Sequence, residues 1–212
     1  MTVVITGTSR GIGAGLAEAF AARGETVIGT TRDGQWPLDV TDPASQAAFA
    51  ASLEQQPVDL LVCNAGVYLD KGHTLQDGYG PELWAQSFAA NVTGVFLTVR
   101  GLLSNLRAAQ APKIAIISSQ MASSERAPGG SYIYRASKAA VLNLGRNLAQ
   151  DLKPESIAVG IYHPGWVRTD MGGAGGDISV DEAVSGLVDR FDGLSIGTTG
   201  CFETWDGRPH PF

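Results

Sequence analysis

Thr6-Gly7-Thr8-Ser9-Arg10-Gly11-Ile12-Gly13 is the stretch on which the reading of this chain turns. A short β-branched run over residues 2–6 precedes it, and an apolar-periodic run over 14–22, closed by Gly24, follows it. Those patterns dictate strand, tight turn and helix in that order. The alternation then repeats outward along the chain. Strands are expected over 26–31, 58–63, 113–118, 157–162 and near 201–204; helices are expected over 43–53 behind a Thr41/Asp42 cap, over 81–107, over 132–152 and over 180–191. Apolar strands separated by helices predict a doubly wound α/β fold, a mostly parallel sheet of about seven strands with helices on both faces, because right-handed crossovers place them there. One irregularity stands out. Only residues 33–35 separate the second strand from Trp36-Pro37-Leu38, whereas a parallel crossover usually takes about a dozen residues. Either that edge strand is vestigial or the connection is an unusually tight excursion.

Composition sets the outer limits. A chain of 212 residues with 44% apolar residues is expected to form a single domain over 1–212. Its 27 glycines show no collagen-like period and imply close backbone approaches. With 15 Lys and Arg against 21 Asp and Glu, the formal charge is -6, so nucleic acid is not an expected partner. No apolar run reaches the roughly 20 residues of a bilayer span, and the run at residues 3–5 is too early and short for a signal peptide, so no membrane association and a cytoplasmic location are expected. Cys63 and Cys201 offer neither a disulfide framework nor metal spacing. His73, His163 and His210 are scattered among loops and are expected to be satisfied or solvated, with no metal.

The glycine spacing of the opening turn is G-x-x-x-G-x-G. Leu16 stands where the generic dinucleotide fingerprint would have its third glycine, and no Lys follows the last glycine as a phosphate loop requires. Set between a strand and a helix, the turn still offers backbone N–H groups and a helix dipole to a pyrophosphate, which points to a dinucleotide.

Tyr134 and Lys138 are four residues apart on an expected helix and project from one face. A phenol titrates near pH 10, and a cation about 4 Å away contributes on the order of 4 kcal/mol at an effective dielectric of 20, enough for a downward shift of roughly three units, while burial pushes the other way. Ser119 ends an apolar strand at the carboxyl edge of the sheet, where such sheets hold their ligands. Ser118 competes with it, but adjacent strand residues face opposite ways and only one can serve. The 15 residues from Ser119 to Tyr134 leave a loop over 123–130 near any substrate. Asn91 lies inside an expected helix, where Asn is a poor former. The glycine-rich stretch 172–176 reads as a mobile lid, and Trp84, Trp166, Trp205 and Tyr68 as core or pocket aromatics.

These elements occur in register with further ones: Asp39-Val40, Asn64-Ala65-Gly66, Asn91, Ser118-Ser119, Tyr134-x-x-x-Lys138, and Pro164-Gly165 followed by Thr169. Together they resemble the short-chain dehydrogenase/reductase family over nearly the whole chain. Trp166-Val167-Arg168-Thr169-Asp170-Met171 and the tail at Asp206-Gly207 are most similar to its C-factor-like and small carbonyl-reductase branch. The resemblance implies a Rossmann-type domain and an oxidoreductase that interconverts a small-molecule carbonyl and an alcohol. It assigns Ser119, Tyr134, Lys138 and Asn91 to catalysis, with Asn91 in a kink holding a water that relays protons to Lys138. It assigns the cofactor to Gly7, Ser9, Arg10, Gly11, Ile12, Gly13, Thr31, Arg32, Asp39, Val40, Asn64, Ala65, Gly66, Tyr134, Lys138, Pro164, Gly165, Val167 and Thr169. Thr31 stands where an acid would select NAD(H), while Arg32 and Arg10 match basic positions that suit NADP(H), which is favoured; Asp33, 20 residues after Gly13, keeps NAD(H) open. Asp39 either contacts the adenine or bounds the turn before the second helix. The resemblance further implies a substrate loop near 171–190, bordered by 67–80, and dimers or tetramers built on the two long helices, although small carbonyl reductases can be monomeric. A cofactor-binding signalling protein with dispensable catalysis is the alternative function.

Overall fold

Seven strands, β1 (Thr2–Thr6), β2 (Thr26–Thr31), β3 (Trp36–Pro37), β4 (Leu60–Cys63), β5 (Lys113–Ile117), β6 (Ala158–His163) and β7 (Phe202–Thr204), form one sheet in the order β3-β2-β1-β4-β5-β6-β7. Every neighbouring pair in it is parallel. This is a computed structural model and describes residues 1–76 and 78–212. The helices are α1 (Gly11–Ala22), α2 (Pro43–Ser52), α3 (Pro81–Phe88), α4 (Gly94–Gly101), α5 (Leu103–Arg107), α6 (Tyr132–Leu152) and α7 (Val180–Gly193).

Side-chain alternation splits the core into two layers. Val3 and Ile5 of β1 pack with Leu16 and Phe20 of α1 and with Leu187 and Phe191 of α7. Val4, between them, faces the other way, into Phe49 of α2, Val95 and Val99 of α4 and Val141 of α6. Helices therefore cover both faces, as expected. Helix α6 lies close against the sheet at Gly145, where a Cβ would stand 2.7 Å from the Ile161 side chain.

The edge irregularity is explained in both of its parts. Trp36 and Pro37 pair with Thr30 and Thr31, and Leu38 N–H donates to Thr31 O at 2.8 Å. The strand is vestigial and its connection is a tight bend. Proline is tolerated because this edge has no further neighbour to receive an N–H.

Two expectations need correction. The helix over 81–107 is not continuous: α3 passes into a π turn at Ala89–Thr93, then α4, then a break at Leu102 before α5. Asn91 lies within the π turn, where one extra residue per turn shifts the helix face. The stretch 172–176 is closely packed at Gly172 and Gly176. A Cβ on Gly172 would lie 2.1 Å from Val167 O, one on Gly176 would lie 2.6 Å from Arg168 N, and Gly173 N–H donates to Thr169 O at 2.7 Å. The glycines permit close packing there. The expected substrate loop ends at Ser179, which caps α7 reciprocally with Glu182, so residues from Val180 onward are helix.

Candidate active site

The glycine turn is held from beneath by the end of β4. Thr6 Oγ1 accepts N–H bonds from Asn64 and Ala65, both at 3.0 Å, and Asn64 Nδ2 donates to Thr6 O at 2.9 Å and Gly7 O at 3.0 Å. Gly13 has no room for a side chain, since a Cβ would fall 2.1 Å from Gly7 O and 2.5 Å from Asn64 Nδ2. Gly7 and Gly11 have φ of +74° and +58°, in the left-handed region. Asn64 and Gly13 are thus built into the turn itself.

Helix α1 begins without an N-cap side chain and without an acidic residue in its first turn, and its N-cap position is Arg10. A cation at the positive end of a helix is unfavourable, and its N–H groups remain open to an anion. Arg10 pairs instead with Asp170 across the cleft mouth at 2.9 Å, both side chains well exposed. The cleft has a volume of about 630 Å³ and runs from Gly7, Ser9, Arg10, Gly11, Ile12 and Gly13 past Thr31, Arg32, Asp39 and Val40 to Asn64, Ala65, Gly66, Tyr134, Lys138, Pro164 and Thr169. Asp39 Oδ1 accepts from Thr41 N–H and Thr41 Oγ1, and these bonds, with the nearby Arg32 charge, hold its carboxyl below the usual range. It therefore bounds the turn before α2 while lining the cleft. Asp42, not Thr41, caps α2, accepting from Ala44 N–H.

Gly165 and Val167 do not line this cleft. Gly165, at φ +90°, packs against Ile178 and Trp205, and Val167 is buried beside Ile178. Pro164 before them and Arg168 and Thr169 after them do line the cleft. Asn91 is buried beside Gly66 and Lys138.

Tyr134 and Lys138 come together on buried turns of α6, with Lys138 Nζ 5.6 Å from the Tyr134 ring centre. Lys138 Nζ donates to Ile117 O at 3.0 Å. Ser119 Oγ faces the Tyr134 phenol, where it favours the ionised form, and accepts Met121 N–H at 3.1 Å. Ser118 Oγ donates to Lys138 O, and Ser118 itself lines the cleft. Burial disfavours both charged forms: it raises the Tyr134 phenol well above its ordinary value, with only Ser119 opposing, and lowers the Lys138 ammonium to about 8. Desolvation is the largest influence on Tyr134, so of the two opposing effects burial sets the direction.

The Asn91 amide is fully engaged by protein. Its Oδ1 accepts Val67 N–H at 2.8 Å, and its Nδ2 donates to Val67 O and Ser137 Oγ, both at 2.9 Å. A Cβ on Gly66 would stand 3.0 Å from Asn91 Oδ1 and 3.6 Å from Lys138 Nζ. Gly66 is therefore the spacer that lets Asn91 and Lys138 flank one point.

The sequence reading passed over Asp70. It is completely buried and accepts the N–H groups of Ile133 and Tyr134 at the start of α6. Tyr68, two residues earlier, stacks on Tyr134, with ring centres 4.2 Å apart. Local signals could not show this, since Ser131 is a favourable capping type directly before the helix. It instead adopts φ +48° and makes no cap bond.

His163 and His210 are not solvated, and His210 Nδ1 bonds to Pro211 O at 2.9 Å. Both are buried with ring centres 5.7 Å apart, and His163 Nδ1 and His210 Nε2 have no partner among the described residues. Burial drives His163 down to about 3. Among the described residues no group of three His, Cys, Asp or Glu could hold a metal, and no helix is long and apolar enough to cross a membrane. Cys63 is a buried thiol pushed up to about 12.

The chain was compared with known proteins. Residues 1–177 match the family described as short chain dehydrogenase. C-signal of Myxococcus xanthus is 34% identical over 166 residues, 78% of this chain and 99% of that protein. The 1-hydroxy-2-glutathionyl-2-methyl-3-butene dehydrogenase of Rhodococcus is 31% identical, covering 97% of each chain. The crystal structure of NADPH-bound carbonyl reductase from chicken fatty liver superposes with a TM-score of 0.91 at 30% identity, covering 100% of this chain and 98% of that one. The parallel sheet, the glycine turn and the Tyr134–Lys138 helix face have a common origin: the chain belongs to the short chain dehydrogenase family.

Proposed function

We propose that this protein is an NADP(H)-dependent oxidoreductase that reduces a carbonyl of a small molecule to an alcohol. The observation that carries the reading is the convergence of Ser119, Tyr134 and Lys138 at the carboxyl edge of the sheet, beside a cleft whose other end is the open N-terminus of α1. Those residues fit a dinucleotide. The uncapped first turn of α1 and the cation at its N-cap both call for an anion, and Arg10 and Arg32 are placed to receive a further phosphate on the ribose. The NADPH-bound carbonyl reductase of like fold supports the same choice.

When bound, the cofactor supplies the hydride. The rest is done by the chain. Ser119 Oγ hydrogen-bonds to the substrate oxygen and polarises the carbonyl. Tyr134 Oη gives its proton to that oxygen. Because burial raises the phenol, it carries the proton at neutral pH, which suits reduction better than oxidation. Lys138, lowered only to about 8, remains largely charged at pH 7; it would hold ribose hydroxyls and stabilise the phenolate left behind. The π turn at Asn91 frees backbone groups beside Lys138 for a water that restores the proton.

The test is NADPH consumption across a panel of aldehydes, ketones and quinones with wild type and Tyr134→Phe. Positioned acid catalysis contributes about a hundred- to ten-thousand-fold, so the variant should lose turnover by that factor with NADPH binding retained. The likeness to C-signal favours a second reading, a cofactor-binding signalling protein. NADPH binding without turnover on any carbonyl would establish that one instead.

A further inference from the structure

We infer that Asp70 is a positioning residue for the proton transfer: its buried carboxylate holds the first turn of α6, and thereby the Tyr134 side chain, in the reacting position. The inference rests on reading Tyr134 as the proton donor.

Asp70 lies in the segment between β4 and α3, 63 residues from Ile133, and is fully buried. Its Oδ2 accepts Ile133 N–H at 2.9 Å, and Oδ1 and Oδ2 accept Tyr134 N–H at 3.2 and 3.4 Å. Its own carbonyl accepts His73 N–H at 3.2 Å. It makes no ion pair among the described residues, so helix N–H groups and the positive end of α6 compensate its charge. Helix α6 spans 21 residues and has no acidic residue in its own first turn. The residue before it, Ser131, is left-handed with its hydroxyl turned to the Tyr68 phenol.

The same short segment is tied at three points. Val67 is bonded through both backbone groups to Asn91, Tyr68 lies on the Tyr134 ring, and Asp70 caps the helix that carries Tyr134. Tyr134 is the third residue of α6, so any loosening of the first turn displaces its phenol relative to Ser119. A displacement near 1 Å at a reacting group costs about a hundredfold in rate when the geometry is strict.

A neutral cap would hold the turn as well; a charged one also acts on the phenol. The groups facing Tyr134 are Ser119 from the far side of β5, Lys138 from its own helix, and Tyr68 and Asp70 from the strap. Asp70 opposes formation of the phenolate. Its charge thus keeps the proton on Tyr134 as its oxygens fix the helix.

Asp70→Asn keeps an acceptor and removes the charge, whereas Asp70→Ala removes both. For Asp70→Asn the alkaline limb of carbonyl reduction should move to lower pH, by up to about one unit, with KM for NADPH unchanged. For Asp70→Ala, kcat should fall about tenfold or more with NADPH affinity retained, and hydrogen exchange at the Ile133 and Tyr134 amides should accelerate. Wild-type kcat and pH limb in both variants would overturn the proposal. So would a loss of kcat in Asp70→Ala that runs in step with lost NADPH binding and melting temperature. Ultraviolet titration of the phenols, with Tyr134→Phe as the blank, needs no turnover. A Tyr134 titration lowered in Asp70→Asn supports the role of Asp70 even if no carbonyl is reduced, a result that would count against the reaction alone. An unmoved titration with active wild type counts against Asp70 alone.

Discussion

The ring of Tyr68 lies on the ring of Tyr134 with centroids 4.2 Å apart and planes 19° from parallel. This stacking covers one face of the phenol and contributes to the burial that raises its pKa. Tyr68→Phe should keep the stack and near wild-type turnover. Tyr68→Ala should lower melting stability by about 1 to 3 kcal/mol and shift the Tyr134 titration toward lower pH, as water reaches the ring. Denaturant unfolding and phenol absorbance check the two parts separately.

Gly66 separates Asn91 from Lys138. A methyl group there would press on Asn91 Oδ1 at 3.0 Å and approach Lys138 Nζ at 3.6 Å. Gly66→Ala is therefore expected to lower kcat several-fold with a stability loss of about 1 to 2 kcal/mol. The measurement is kcat at saturating NADPH beside a melting curve. Unchanged kcat would show that Lys138 has room the structure does not give it.

Arg32 lines the cleft near the carboxylate of Asp39, and Arg10 pairs with exposed Asp170. A charge-assisted bond to a ribose phosphate contributes about 1.5 to 3 kcal/mol, so Arg32→Ala should weaken NADPH about ten- to a hundredfold and leave NADH nearly unaffected. Asp170→Ala should change NADPH affinity by less than about fivefold, since the exposed pair it breaks contributes little. Titrating both dinucleotides against both variants decides which arginine discriminates.

His163 gives stability a pH dependence of known sign. Its folded pKa is depressed to about 3 by burial, below the ordinary imidazole value of 6.5. Below about pH 6.5 the unfolded chain therefore binds a proton that the folded chain does not, and stability falls as pH drops toward 3, at up to about 1.4 kcal/mol per pH unit from this group. Above pH 6.5 the contribution is complete and flat. His163→Gln should flatten the acid limb of an unfolding series relative to wild type.

The layers and strand order of this fold were legible because each central strand is apolar on both faces and each helix repeats at its own period. The shared buried helix face of Tyr134 and Lys138 was legible for a related reason: an i, i+4 pair is a local pattern. Element ends were less so, as with the strand expected at 58–63 that begins at Leu60. The break in the helix expected over 81–107 was hidden, because a π turn keeps helical composition and changes only which carbonyl each N–H finds. The crowding at Gly172 and Gly176 was hidden in the same way. Composition distinguishes neither a mobile glycine from a crowded one nor a solvated histidine from the buried pair at His163 and His210.

By itself the sequence determined the parallel sheet, the glycine turn and the helix face carrying Tyr134 and Lys138, since periodicity and spacing act over a few residues. Tertiary structure alone decided that Asp70 caps that helix in place of Ser131, that Tyr68 covers the phenol, and that burial sets the direction of its pKa. Hydrogen-bond partners 63 residues apart and the degree of desolvation are properties of packing, and packing exists only once the chain has closed on itself.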